Sequence, residues 1–146
     1  MVVTEITDIS KRQSRVCTDQ DISFVLYKGE LRQYGIAEGE ELPGETCETL
    51  LEDLLPRRAR LRAMNLLQIR DYTEKQLLDK LLGGGYPQPV AEQAVEYVKS
   101  FHYIDDFRYA GDYLTAFAGR KSLRRMEQDL QQKGVPKGIL EQAVAA

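Results

Sequence analysis

The sequence predicts a mainly α-helical protein made of tandem three-helix repeats, with a period of about 49 residues, preceded by a small N-terminal antiparallel β meander. Three observations predict this fold class. Strand-like runs rich in β-branched residues fall within the first 27 positions. After Pro43-Gly44 the apolar residues recur with a helical period. A set of structural residues then recurs at one fixed offset of 49.

Taken in order, residues 2–7, 15–18 and 22–27 read as three strands, the last two joined by a tight turn at Asp19-Gln20-Asp21. So few strands bury little, so the meander is expected to pack on the next part of the chain. Residues 30–34 suit one short helix ended by Gly35, and residues 38–44 a turn-rich acidic connector. From there the chain is expected to be helical, broken only at Pro56 and at the glycine clusters.

In the repeat, Ala91-Glu92-Gln93-Ala94-Val95 recurs as Leu140-Glu141-Gln142-Ala143-Val144. Thr73 answers Ser122, Leu77 Met126, Leu81 Leu130, Gly85 Gly134, Pro87 Pro136 and Val90 Ile139. Each match has a physical use. Thr73 and Ser122 suit helix N-caps, Thr73 with Gln76 as a capping box. Leu77/Leu81 and Met126/Leu130 are i, i+4 pairs on one apolar stripe. Gly85 and Gly134 suit the left-handed residue after a helix, and Pro87 and Pro136 the first turn of the next. A further helix precedes each pair, over about 57–69 and about 106–118. The expected division is therefore a β-strand subdomain with its acidic connector (1–45), repeat 1 (46–105) and repeat 2 (106–146). The second copy stops at the equivalent of Tyr97, inside its last helix.

Composition excludes several function classes. With 42% apolar and 29% charged residues, wholesale disorder is excluded. The 146 residues suffice for one core or two small ones. No apolar run approaches the roughly 18 residues of a membrane span, and residues 1–5 do not read as a signal peptide. Cys17 and Cys47 stand 30 apart and His102 is the single histidine, so no Cys/His metal set can be assembled. A cytoplasmic protein without membrane contact, metal or cofactor is expected. No catalytic constellation is found: Asp105-Asp106 reads as a helix cap, His102 as a structural turn residue, and Gly83-Gly84-Gly85 lacks the setting of a phosphate loop.

Charge is divided unevenly. Residues 1–56 hold five basic and twelve acidic side chains, and residues 57–146 fifteen basic and eleven acidic. Two basic clusters stand out. Arg57, Arg58, Arg60 and Arg62 cover all sides of a helix but the one holding Ala59, Ala63, Leu66 and Leu67. They suit a phosphate backbone, and equally ion pairs with Glu48, Glu52 and Asp53. Arg70, at the end of that apolar stripe, reads as a structural ion pair or a bond to helix-terminal carbonyls. In the second copy Leu123, Met126 and Leu130 mark the buried side of a helix. Lys121, Arg124, Arg125, Gln128, Gln131 and Gln132 spread over an arc free of acidic residues. The first copy did not keep this face, so phosphate contact through Lys121, Arg124 and Arg125, with Lys133 next, is the preferred reading. Arg57, Arg58 and Arg62 are weaker candidates. The competing reading is a solvated helix with an Arg125–Asp129 pair.

The segments 70–77 (Arg-Asp-Tyr-Thr-Glu-Lys-Gln-Leu), 101–110 (Phe-His-Tyr-Ile-Asp-Asp-Phe-Arg-Tyr-Ala) and 128–135 (Gln-Asp-Leu-Gln-Gln-Lys-Gly-Val) resemble signatures of the RecX family, modulators of the bacterial RecA recombinase. The strands, with Phe24-Val25-Leu26-Tyr27, are similar to those of longer-armed members. The resemblance covers nearly the whole chain. It implies a crescent of helical repeats lying in the groove of the RecA nucleoprotein filament, contacting protein and DNA. There it would restrain ATP hydrolysis, strand exchange and coprotease activity. The third repeat usual in the family, and its usual glycine near Lys121-Ser122, are missing here. The function expected is a non-enzymatic inhibitor of RecA in DNA repair, recombination and the SOS response, binding single-stranded DNA and, as a second candidate, double-stranded DNA, as a monomer. The alternative is a helical-repeat protein-binding adaptor with no nucleic-acid contact.

Overall fold

The computed structural model describes residues 1–146. It is mainly helical with a three-stranded antiparallel sheet at its N-terminus, as its sequence leads one to expect. No helix is long and apolar enough to cross a membrane. The chain divides into two compact units, residues 1–59 with 81–94, and residues 60–80 with 95–146.

In the first unit β1 (Val3–Asp8), β2 (Gln13–Thr18) and β3 (Ser23–Tyr27) lie in the order β1-β2-β3, with Val16 opposite both Ile6 and Phe24. Period-two alternation buries Ser14, Val16 and Thr18 on β2 and Phe24 and Leu26 on β3. The buried hydroxyls are satisfied: Ser14 donates to the Asp8 carboxylate at 3.1 Å and Thr18 to the Ile22 carbonyl at 2.8 Å. Helix α1 (Lys28–Gln33) starts where the Glu30 carboxylate accepts the Tyr27 N–H at 2.8 Å, and the chain leaves it through Gly35 at φ +66°.

Helix α2 (Gly44–Glu48) runs through a π-helical turn (Thr49–Leu54) into α3 (Leu55–Ile69). Pro56, expected as a break, lies inside this continuous stretch. Leu55 N–H reaches five residues back to the Leu50 carbonyl. The widened turn thus shifts the hydrogen-bond register just ahead of the residue that has no N–H to give. Gly85, at φ +91°, links α4 (Glu74–Gly83) to α5 (Gln88–Ser100). A Cβ there would fall 2.1 Å from Val25 Cγ2, so β3 packs directly beneath this turn.

In the second unit α6 (Asp106–Phe117), α7 (Leu123–Gln132) and α8 (Lys137–Ala145) close on a core of Ala110, Leu130, Val135, Leu140 and Ala143. Ser122 accepts the Arg125 N–H at 3.2 Å as the α7 cap. Thr73 and Gln76 exchange two bonds of 3.1 Å as a capping box on α4. Thr73 is fully buried and its hydroxyl donates to the Lys133 carbonyl, so one threonine caps its own helix and also fastens the end of α7. Two expectations shift. Pro136 is the N-cap of α8 and Pro87 directly precedes α5, each one position ahead of the first turn, with its carbonyl accepting the first helical bond. Leu123 is 48% exposed, not buried. It opens α7 ahead of the packed turn, at the position that holds Glu74 in the first copy.

Candidate nucleic-acid interface

The chain leaves α6 through Gly119 at φ +78° and reaches Lys121 just before α7. The Lys121 ammonium donates to the Tyr113 hydroxyl at 2.9 Å and to the Asp129 carboxylate at 3.0 Å, and lies 4.3 Å from the Phe117 ring centroid. Tyr113 in turn donates to Asp129 at 2.6 Å. From one helical turn back, Arg125 Nε donates to the other carboxylate oxygen at 3.1 Å. With the tyrosine hydroxyl, then Lys121 and Arg125, donating to it, Asp129 is held well below the usual carboxylate range. Its partners Tyr113 and Asp129 raise the Lys121 ammonium. The arc expected to be free of acid therefore has Asp129 bonded into it, because i, i+4 spacing brings the carboxylate beside Arg125.

Lys133 closes the group from the far end of α7, its ammonium 5.9 Å from the Tyr113 ring centroid. Lys121, Arg125 and Lys133 are thus gathered around Tyr113 and Asp129. Arg124 takes no part in this cluster: it is exposed and makes no ion pair. Sequence reasoning did not find Tyr113 as an organiser, since only its position on α6, next to Lys121 in space, reveals it.

The arginines of α3 separate. Arg57 pairs with Asp53 at 3.1 Å, both exposed, so of the two readings ion pairing is what the geometry shows. Arg58 makes a two-pronged bond to Glu30 at 2.7 and 3.1 Å, with its guanidinium 5.0 Å from the Tyr27 ring. Burial opposes ionisation of Glu30, but the bonds from Arg58 and the Tyr27 N–H outweigh it and hold its carboxyl below the ordinary value. Arg60 lies over the Tyr97 ring at 5.2 Å, and Arg62 is exposed and unpaired. Arg57 and Arg58 belong to the first unit and Arg62 to the second. Arg70, read as an ion pair or a bond to helix-terminal carbonyls, makes no ion pair; it stacks on Tyr72 at 4.4 Å and donates to the Asp71 carbonyl, two residues past the end of α3, at 3.3 Å.

Asp105 caps α6 by accepting the Arg108 N–H at 3.1 Å. Asp106 does something no local pattern signals. It is buried, and its carboxylate accepts the Glu74 N–H at 2.9 Å, capping α4 from 32 residues away. Burial pushes its carboxyl above the ordinary value, against the pull of that N–H.

These elements define a class: a mainly helical protein with an N-terminal three-stranded sheet and, beside α7, cations gathered around Tyr113 and Asp129. A family model described as the first three-helix domain of RecX matches residues 59–97. The regulatory protein RecX of Caldanaerobacter subterraneus subsp. tengcongensis is 30% identical over 144 residues, covering 95% of this chain and 73% of that protein. The regulatory protein RecX of Clostridium botulinum is 24% identical over 141 residues, covering 97% of this chain and 66% of that one. A crystal structure of a regulatory protein RecX superposes with a TM-score of 0.63 at 21% identity, over 99% of this chain and 72% of that one, which speaks to the fold. The chain belongs to the RecX family.

Proposed function

We propose that the chain is a non-enzymatic inhibitor of the RecA recombinase, acting in the cytoplasm on DNA repair, recombination and the SOS response by binding the RecA–DNA filament. The carrying observation is the flank of α7. Residues 118–137 hold six basic and two acidic side chains. Asp129 fixes Lys121 and Arg125 in place, while Arg124 is left free in solvent. Side chains already ordered by a neighbour lose less freedom on meeting a phosphate. Two cations sharing one carboxylate also keep a net positive charge. Arg124, free of any carboxylate, is the first phosphate contact. Lys121 and Arg125, ordered yet still net positive, are the supporting pair, Lys133 is next, and Arg57 and Arg58, each neutralised by its own carboxylate, contribute least together with Arg62. We read the chain as divided into 1–45, 46–105 and 106–146, with 106–146 the part that meets DNA. Single-stranded DNA is the principal nucleic acid and a monomer the acting form.

Adding the protein to an assembled RecA–single-stranded-DNA filament is expected to lower ATP turnover. Arg124→Ala is expected to weaken the effect and to reduce the salt slope of single-stranded-DNA binding by about 0.7 to one unit. Unchanged turnover at stoichiometric excess overturns the proposal. Inhibition that survives without any DNA affinity at low salt points to the adaptor reading instead.

A further inference from the structure

After Ser100, the last residue of α5, the chain reverses through His102, whose backbone takes a left-handed φ of +60°, a region histidine enters more readily than most side chains. Several bonds fasten the reversal. His102 N–H donates to the Lys99 carbonyl at 2.9 Å and Tyr103 N–H to the Val98 carbonyl at 3.1 Å. The Arg108 guanidinium donates to the His102 carbonyl at 3.1 Å and to the Tyr103 carbonyl at 3.4 Å. Ile104, next in the chain, is buried.

This fixed turn sets three rings in a row. Tyr97 meets Phe101 edge-on at 5.1 Å between centroids, and Phe101 stacks on Tyr103 at 5.6 Å with 21° between planes. All three stand in solvent, at 39%, 51% and 49% exposure. Tyr103 also walls a cleft of about 320 Å³ with Met64, Leu67 and Gln68. Single exposed rings are ordinary, but a contiguous, rigidly held row marks a surface that something covers.

Charge selects the occupant. Arg60 lies 5.2 Å from the Tyr97 centroid, Arg108 stands at the other end of the row, and neither has a carboxylate partner. A second copy of this chain docking here through a two-fold axis would bring the same arginines against each other. Single-stranded nucleic acid offers the complement: base faces for the rings and phosphates for the guanidinium groups. We infer that Tyr97, Phe101 and Tyr103 form a stacking platform for the bases of single-stranded nucleic acid. The cleft beside Tyr103 and Gln68 takes one base, and Arg60 and Arg108 take flanking phosphates. The proposal shares its ligand with the proposed function but none of its residues, so the two fail separately.

The test is fluorescence anisotropy with a labelled thymidine oligonucleotide of about 16 nucleotides and an abasic oligonucleotide of equal length. Tyr103→Ala is expected to weaken thymidine binding by at least about fivefold with the salt slope unchanged, whereas Arg124→Ala changes the slope. Tyr103→Phe, which keeps the ring, binds as the parent does. On abasic DNA the parent and Tyr103→Ala bind alike. Because the chain has eight tyrosines and no tryptophan, quenching of tyrosine emission by the thymidine oligonucleotide, reduced in Tyr103→Ala, reports stacking directly. Equal loss on abasic DNA, no loss on thymidine DNA in both Tyr103→Ala and Phe101→Ala, or a change confined to self-association in sedimentation would each overturn the platform. Helical circular dichroism checks that these solvent-exposed truncations leave the fold intact.

Discussion

Two aspartates in one unit titrate in opposite directions, and the contrast follows from their surroundings. Asp129 receives three donors, one neutral and two cationic, and its carboxyl is lowered. Asp106 is buried with a single backbone N–H for company, and its carboxyl is raised. A lowered carboxyl stabilises the fold at every pH above about 3.9, the unfolded value, and loses that contribution as pH falls toward its own lower value. A raised carboxyl binds protons more readily folded than unfolded, so stability declines as pH rises from about 3.9 through its raised value. Asp129→Asn is expected to lower the Tm at pH 7 by a margin that shrinks below about pH 4. Asp106→Asn keeps an oxygen for the Glu74 N–H and removes the buried charge, so at pH 7 it should match or exceed the parent and lose that advantage in acid. Thermal melts of both variants across that range decide it, and pH dependences of the same sign would show that the two environments are misjudged.

At the scale of elements, the repeat works through its turns. Gly85 and Gly134 both take a left-handed φ, at +91° and +98°, and both sit against a neighbour: an added Cβ would fall 2.1 Å from Val25 Cγ2 and 2.4 Å from Lys75 Cβ. Gly111, inside α6, meets nothing within 4 Å. Gly85→Ala and Gly134→Ala should each cost about 1–3 kcal/mol, Gly85→Ala more because it strikes a branched side chain. Gly111→Ala should stabilise by up to about 1 kcal/mol. Urea denaturation of the three variants measures this, and a tolerated Gly85→Ala would contradict the close approach of β3. These turns were legible because the 49-residue offset pairs the two glycines, the two caps and the two i, i+4 leucine or methionine pairs. The same offset pairs Leu123 with Glu74 and so already argued against burying Leu123, a clue that the apolar pattern of α7 alone overrode. What the repeat could not carry is anything made by tertiary approach: Asp106 reaching Glu74, Thr73 reaching Lys133, Glu30 reaching Arg58 and Tyr113 reaching Asp129. Each joins residues on different elements, where no sequence spacing applies. The i, i+4 pairs Arg125–Asp129 and Arg57–Asp53 were within reach of sequence spacing, whereas the partners of Arg58, Arg60 and Lys121 on other elements were invisible for that reason.

For the whole molecule, a net charge of −3 and the proposed affinity for a polyanion are reconciled by how the charge is distributed along the chain. The first 56 residues hold twelve acidic side chains, whereas residues 118–137 hold six basic ones against two acidic. Over about 30 Å, the Debye length near 0.01 M salt, a bound strand feels the summed charge of the chain. Over about 8 Å, the length near 0.15 M, it feels only its immediate surroundings. Affinity for single-stranded DNA should therefore rise less on going to very low salt than the phosphate contacts alone dictate, because self-repulsion grows as screening fades. Glu40, Glu45 and Glu48 are exposed and form no ion pair, so Glu40→Gln, Glu45→Gln and Glu48→Gln together remove negative charge without breaking a bond. The triple variant should bind several-fold more tightly at about 0.01 M salt and like the parent at about 0.15 M. Anisotropy titrations at the two salt levels read the difference. A gain that persists unchanged at the higher salt would overturn this account, because it would mean that screening does not separate these carboxylates from the bound strand.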